Sequence, residues 1–157
     1  MNVRRATIDD SDIIRAVYGS PGTWEAVSDD NTPPLEGIDL STILSNPVMC
    51  VLIVDDAAVF LFHPHNSVMF EMHSAVKPEF RGPQAVEAAR MAGFWIFEHT
   101  PCMKIITLIP AGNVPAVVLA RRGGMVKEGT LTASFLKGGR LIDQYVYGIT
   151  KEAAKCL

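Results

Sequence analysis

Along this chain two hydrophobic rhythms alternate, one of period two and one of helical period, and the switches between them fall at turn residues. Val3–Ile8 reads as a half-buried strand, and Asp9, Asp10 and Ser11 then offer capping oxygens for a helix over about Asp12–Tyr18. Gly19–Pro21 breaks that helix. Ser28–Gly37, rich in Asp, Asn and Pro, is the one long loop-like stretch; it reads as a surface connection, with a substrate lid as the alternative. Asp39 caps a short helix reaching about Leu44. Three strand-like runs follow, Val48–Val54, Ala57–Phe62 and Val68–Val76. Their joins, Asp55-Asp56 and Pro64–Ser67, are short and turn-forming, which predicts two antiparallel hairpins.

After Gly82 the period lengthens. Pro83 suits a first helical turn, and Ala85, Ala88, Ala89, Ala92, Trp95 and Ile96 recur on one face. Lys104–Ile109 reads as a buried strand. Asn113 caps a second helix, Val114–Arg122, which Gly123-Gly124 ends. Met125–Phe135 and Leu141–Ile149 form a closing hairpin around Lys137-Gly138-Gly139. Runs of strands mixed with two late crossovers predict an α+β architecture: a mixed, mostly antiparallel sheet of about seven strands, flanked by helices. The order is not that of a doubly wound nucleotide fold.

A length of 157 residues predicts one domain, residues 1–157. The net charge of −3, with Lys and Arg scattered, argues against nucleic acid as a partner. The apolar runs are of strand length, so no membrane span is expected, and Met1–Arg5 opens no signal peptide. Cys50, Cys102 and Cys156 are an odd count without metal-like spacing, which suits a reducing compartment, the cytoplasm. Cys50 reads as a small core residue, while Cys102 and Cys156 read as candidates for exposed thiols.

The candidate chemistry sits on the middle strands. Glu71 and His73 are two apart and share a face, while Phe70 and Met72 face the core. A register matching core to core, through Phe60 and Phe62, brings His63 near Glu71 and His73. His63, His65, Glu71 and His73 are residue types that suit zinc, but His65 falls at the turn, and no metal is expected. A polar, half-exposed sheet face is the alternative reading of all four. His99, ending a helix, reads as structural.

Three stretches resemble the GNAT superfamily of N-acetyltransferases, over about Val68–Lys151. Val76-Lys77-Pro78-Glu79-Phe80-Arg81-Gly82 is similar to the strand end and turn before the coenzyme A pyrophosphate loop. Asn113, Ala116, Leu119, Arg122 and Gly123-Gly124-Met125 resemble the Asn-led helix running into the next strand. Glu128-Gly129, Gly139, Asp143 and Tyr147-Gly148 resemble the closing hairpin of the ribosomal-protein alanine acetyltransferase branch. Arg81-Gly82, Glu87-Ala88-Ala89, Trp95-Ile96-Phe97, Ile109-Pro110 and Asn113 are also similar to phage-encoded GNAT-like proteins, some of them virion components.

The resemblance implies acetyl-CoA as co-substrate and an amine as acceptor. It places pantetheine along Ser74, Ala75 and Val76, and pyrophosphate at Arg81, Gly82, Gln84, Ala85 and Val86, with Asn113 nearby. Glu71 takes the place of the general base, with His73 acting instead or as relay. Two departures count against catalysis. Gln84 and Val86 stand where the superfamily's turn has small residues, and Pro83 removes one N–H. The positions of its thiolate-protonating Tyr or Ser fall on Ala120 and Ala116. A non-catalytic binding or structural module on the same fold, such as a phage component, is therefore the second reading. The closing hairpin is also the element that would pair across a homodimer.

Overall fold

The computed structural model describes all residues, Met1–Leu157. Its frame is one seven-stranded sheet in the order β1-β2-β3-β4-β5-β7-β6. The strands are β1 (Val3–Arg5), β2 (Cys50–Val54), β3 (Ala58–Pro64), β4 (Met69–Val76), β5 (Lys104–Pro110), β6 (Val126–Lys137) and β7 (Arg140–Thr150). Only β4 and β5 are parallel; every other neighbouring pair is antiparallel. The helices are α1 (Ser11–Tyr18), α2 (Thr23–Val27), α3 (Leu40–Ser45), α4 (Pro83–His99), α5 (Val114–Arg122) and α6 (Lys151–Ala154). None is long and apolar enough to cross a membrane.

Strand alternation sends side chains to two different cores. Leu52, Phe60, Phe62, Phe70 and Met72 pack under α4 and α5 with Ala88, Ala92, Ile96 and Phe97. The alternate residues Val51, Ile53, Val59 and Ala75 pack under α1 and α3 with Ile14, Val17 and Leu40. The alanines let α4 lie close on the sheet. Its N-cap, Gly82, has φ 86° and ψ −139°, a conformation open to glycine alone.

Asp55 and Asp56 have φ of 49° and 51°, positive values that turn the chain sharply between β2 and β3, where Ala57 N–H donates to the Val54 carbonyl at 3.0 Å and Val54 pairs with Ala58. Asp is among the few residues that tolerate them, and Asp55 Oδ1 also accepts from the distant Asn2 N–H at 2.7 Å, tying the turn to the residue before β1. Elements appear within a few residues of expectation, except α2 and α6, each too short to show a helical period. Cys102 is a correction: it is fully buried, and its Sγ contacts the Lys104 carbonyl at 3.2 Å. Cys50 is buried and Cys156 exposed.

Candidate functional site

The β3–β4 register sets the heart of the site. His63 lies directly opposite Glu71, and Leu61 opposite His73, all on the face away from α4. His65 is carried back toward the sheet by the turn, where its N–H donates to the Met69 carbonyl at 2.9 Å. Its Nε2 then reaches Glu71 Oε2 at 2.6 Å. His63 Nε2 stands 3.6 Å from the same oxygen, and His73 Nε2 3.4 Å from Oε1. His63 and His73 meet at 3.2 Å through their Nε2 atoms and stack with centroids 5.2 Å apart. Glu71 is only 6% exposed, so this carboxylate depends on its imidazole neighbours for partners. His63, His65 and Glu71 each offer a ligand atom within 4.8 Å of the others, a set able to hold a divalent cation. The sequence puts His65 at the turn but leaves it able to join the Glu71 face; the turn's own hydrogen bond brings it in.

His73 has about half its side chain exposed, but it is sunk in a concave cleft. Desolvation there pushes its pKa below the usual imidazole value; Glu71 opposes that shift, and His63 and His65 add to it. The ring is therefore neutral at neutral pH and able to accept a proton.

Beyond this cluster the sheet opens. The β4–β5 pairing covers only Met69↔Lys104, Phe70↔Ile105 and Glu71↔Ile106, while β4 continues to Val76 and β5 to Pro110. Past Glu71 the two strands diverge and leave a cleft. Two cavities occupy it, one of about 460 Å³ and one of about 350 Å³. They share Ala26, Val27, Ser74, Asn113 and Ala116 as a common wall. Glu71, His63 and His73 line the larger one.

The smaller cavity is lined by Ser74, Ala75, Val76, Arg81, Gly82, Ala85, Val86 and Asn113. Gln84 has its side chain outside it, exposed to solvent. The backbone decides more than the side chains here. Val86 N–H is used by the Gly82 carbonyl at 3.2 Å and Arg81 N–H by the Pro78 carbonyl at 3.3 Å. Gly82, Gln84 and Ala85 keep N–H groups with no partner in the chain, at the positive end of a 17-residue helix. A Cβ added at Gly82 would meet open space, so its backbone faces the cleft unobstructed. Arg81 reaches across to Thr23 Oγ1 at 3.3 Å. Asn113 is a latch: its Oδ1 accepts from Ala116 N–H at 3.3 Å, and its Nδ2 donates to the Ala26 carbonyl at 3.2 Å.

Several lining residues carried no sequence signal of function. Thr23, Ala26 and Val27 come from α2, whose five residues follow a helix breaker. Trp24 lines the larger cavity and packs edge-on against Tyr18 at 5.8 Å. Phe135 and Gln144 reach the same cavity from β6 and β7. The Ser28–Gly37 loop contributes Leu35 to its wall and is pinned by the far hairpin. Lys137 Nζ donates to the Glu25 and Ser28 carbonyls, both at 2.6 Å, and Asp30 accepts from Gly138 and Gly139 N–H at 2.9 and 2.7 Å. Ala116 lies at the wall common to both cavities, whereas Ala120 is in the core. Tyr147 is likewise core, and Tyr145 packs under Lys127 Nζ at 3.7 Å.

A mostly antiparallel seven-stranded sheet, parted at its one parallel pair beside a Gly-capped helix, is the fold of the GNAT acetyltransferases. Among solved structures, spermidine N-acetyltransferase from Vibrio cholerae, in complex with CoA and spermine, superposes with a TM-score of 0.82. That match has 18% identity and covers 98% of this chain and 97% of the other. Ribosomal-protein-S5-alanine acetyltransferase from Vibrio fischeri gives 0.77 at 14% identity, over 96% and 92% of the two chains. A GNAT-family acetyltransferase from Bacillus anthracis gives 0.74 at 20% identity, over 96% and 94%. At these identities the likeness is one of fold. No family profile matches the sequence. Protein p31 of Acyrthosiphon pisum secondary endosymbiont phage 1 is 26% identical over 84 residues, 54% of each chain. The matched segment thus spans about half the length of that relative.

Proposed function

We propose that this protein transfers an acetyl group from acetyl-CoA to an amine by direct attack on the thioester. One observation carries the reading: the cleft between the parting strands holds two cavities that meet beside Glu71 and His73. One of them is lined by Gly82 and Ala85, two of the three residues whose N–H groups have no partner. Pyrophosphate suits those amides and the helix dipole, and Ser74–Val76 offers pantetheine an unpaired strand edge. An ammonium entering from the other side meets the Glu71–histidine cluster, which takes its proton. The free amine then attacks the carbonyl carbon, the C–S bond breaks and the coenzyme leaves as thiolate, while the second proton of the attacking nitrogen passes to that thiolate or to solvent. Holding both reactants at the common wall supplies most of the rate. The three unpaired cysteines suit the reducing cytoplasm for this work.

Ala116 at the common wall has no proton to give that thiolate, and Val86 puts a branched side chain in the phosphate turn. Both features favour, as a second reading, a module that keeps the fold without turnover, and the phage relative fits it.

Isothermal titration with coenzyme A and acetyl-CoA turnover over a panel of amines separate the two. Micromolar coenzyme binding with turnover is expected; no binding in the millimolar range refutes the transferase. Glu71→Gln should lower kcat about 10²- to 10⁴-fold while leaving coenzyme affinity unchanged. Undiminished turnover in that variant removes Glu71 from the mechanism.

A further inference from the structure

The larger cavity has walls of one kind and charge at one end only. Of its 26 lining residues 18 are hydrophobic, among them Tyr18, Trp24, Leu35, Ile38, Leu44 and Phe135. Glu71 is the sole carboxylate among them. Three acids of the surrounding loops, Asp29, Asp30 and Asp39, are engaged by hydrogen bonds within the chain. Asp29 accepts from Asn31 N–H and from Thr32 Oγ1, Asp30 from Gly138 and Gly139 N–H, and Asp39 from Ser41 and Thr42. Burial pushes the Tyr18 hydroxyl up to about 12, so that wall stays neutral. Among the neutral polar groups, Asn113 already spends its side chain on Ala116 and Ala26.

We propose that the acceptor is a small primary amine with a single cationic nitrogen and an apolar body, and not a polyamine or a lysine in a polar peptide. This rests on the acetyl-transfer reading for the same cleft. The ammonium goes to Glu71, where the acetyl donor arrives, and the rest of the molecule lies between α1, α2, α3 and the tip of the closing hairpin. A second ammonium in the cavity would be desolvated with no counter-charge, a cost that excludes polyamines. The apolar walls reward length and bulk, while a free polar peptide chain would leave its amides unpaired. The spermidine enzyme of the same fold, solved with spermine, is thus a structural relative with a different acceptor.

The test is binding of n-alkylamines from butylamine to octylamine, together with phenethylamine and spermidine, to the full chain saturated with coenzyme A, and turnover of the same amines with acetyl-CoA as donor. Affinity should rise about fourfold per methylene until the cavity fills, and spermidine should bind at least tenfold more weakly than octylamine. Leu44→Glu, which adds a second carboxylate to the lining, should shift preference toward 1,8-diaminooctane. A flat alkylamine series in the wild type, or spermidine binding tighter than octylamine, overturns the proposal. The two readings fail separately. Acetylation of spermidine but not of alkylamines sinks the apolar acceptor and keeps the transferase; graded binding of alkylamines without acetyl transfer keeps the cavity assignment and sinks the transferase.

Discussion

His73 shows how a single side chain acquires its chemistry from its surroundings. On an open strand it would titrate like any imidazole; in the cleft it loses hydration and faces two other imidazoles, from His63 and His65, against one carboxylate, Glu71. Desolvation dominates and its pKa falls. The sign follows directly: the neutral ring is the folded form at neutral pH, and charging it requires acid below the ordinary 6.5. With His73 as base or relay, log kcat/KM should climb with pH through an acidic limb below 6.5 and then level off. His73→Gln should move or erase that limb, measured with one amine of fixed pKa. An acidic limb unaltered by the substitution would take the proton path away from this residue.

Among the elements, the β6–β7 hairpin does most to shape the cleft although it lies at the far edge of the sheet. Its Gly138 and Gly139, with φ of 58° and 71°, make a turn tight enough to present two N–H groups to Asp30. Those amides and Lys137 hold the Asp30 carboxyl below the usual carboxylate range. The Asp30 carboxylate is solvent-exposed, so this clamp positions the loop more than it stabilises the fold. Asp30→Ala should leave the melting temperature within a few degrees and raise KM for the amine roughly three- to tenfold, with kcat little changed. A kcat that collapses with KM intact would contradict that division of labour. The hairpin carries a strain of its own at Ala133, whose φ of 51° falls at a register break between Leu131 and Phe135. That bulge turns Phe135 back into the ladder opposite Ile142, where it can also line the cavity.

The molecule as a whole is held at its opposite edge by charge. Asp10 is 7% exposed and accepts from Arg4 Nη2 at 2.8 Å and from Thr7 N–H at 2.8 Å, tying β1 to the start of α1. Asp56 shares the same guanidinium at 3.2 Å. Hydrogen bonding to Arg4, then to Thr7, lowers the Asp10 pKa from 3.8 to about 2. A depressed carboxyl stabilises the fold above its unfolded pKa and loses that contribution as pH falls through the folded one. The melting temperature should therefore drop between about pH 4 and pH 2, and Asp10→Asn should flatten that drop while lowering stability at pH 7. An equally steep acid drop in the variant would assign the transition to other carboxylates.

Local rules sufficed for much of this protein. Alternation along β3 and β4 separated Phe60, Phe62, Phe70 and Met72 from Glu71 and His73, and short turns left one register that kept both faces consistent. Hence the meeting of His63 with Glu71 is legible in the sequence, as are α5 to the residue and the Gly82 start of α4. Contacts between residues far apart in the chain decided the rest: Arg81 on Thr23, Asn113 on Ala26, and Asp30 on Gly138 and Gly139. No local period encodes such pairs, because each depends on how whole elements stack. The same holds for the free amides past Arg81 and for the apolar cavity, since a space is defined by the surfaces around it and not by any one stretch of chain.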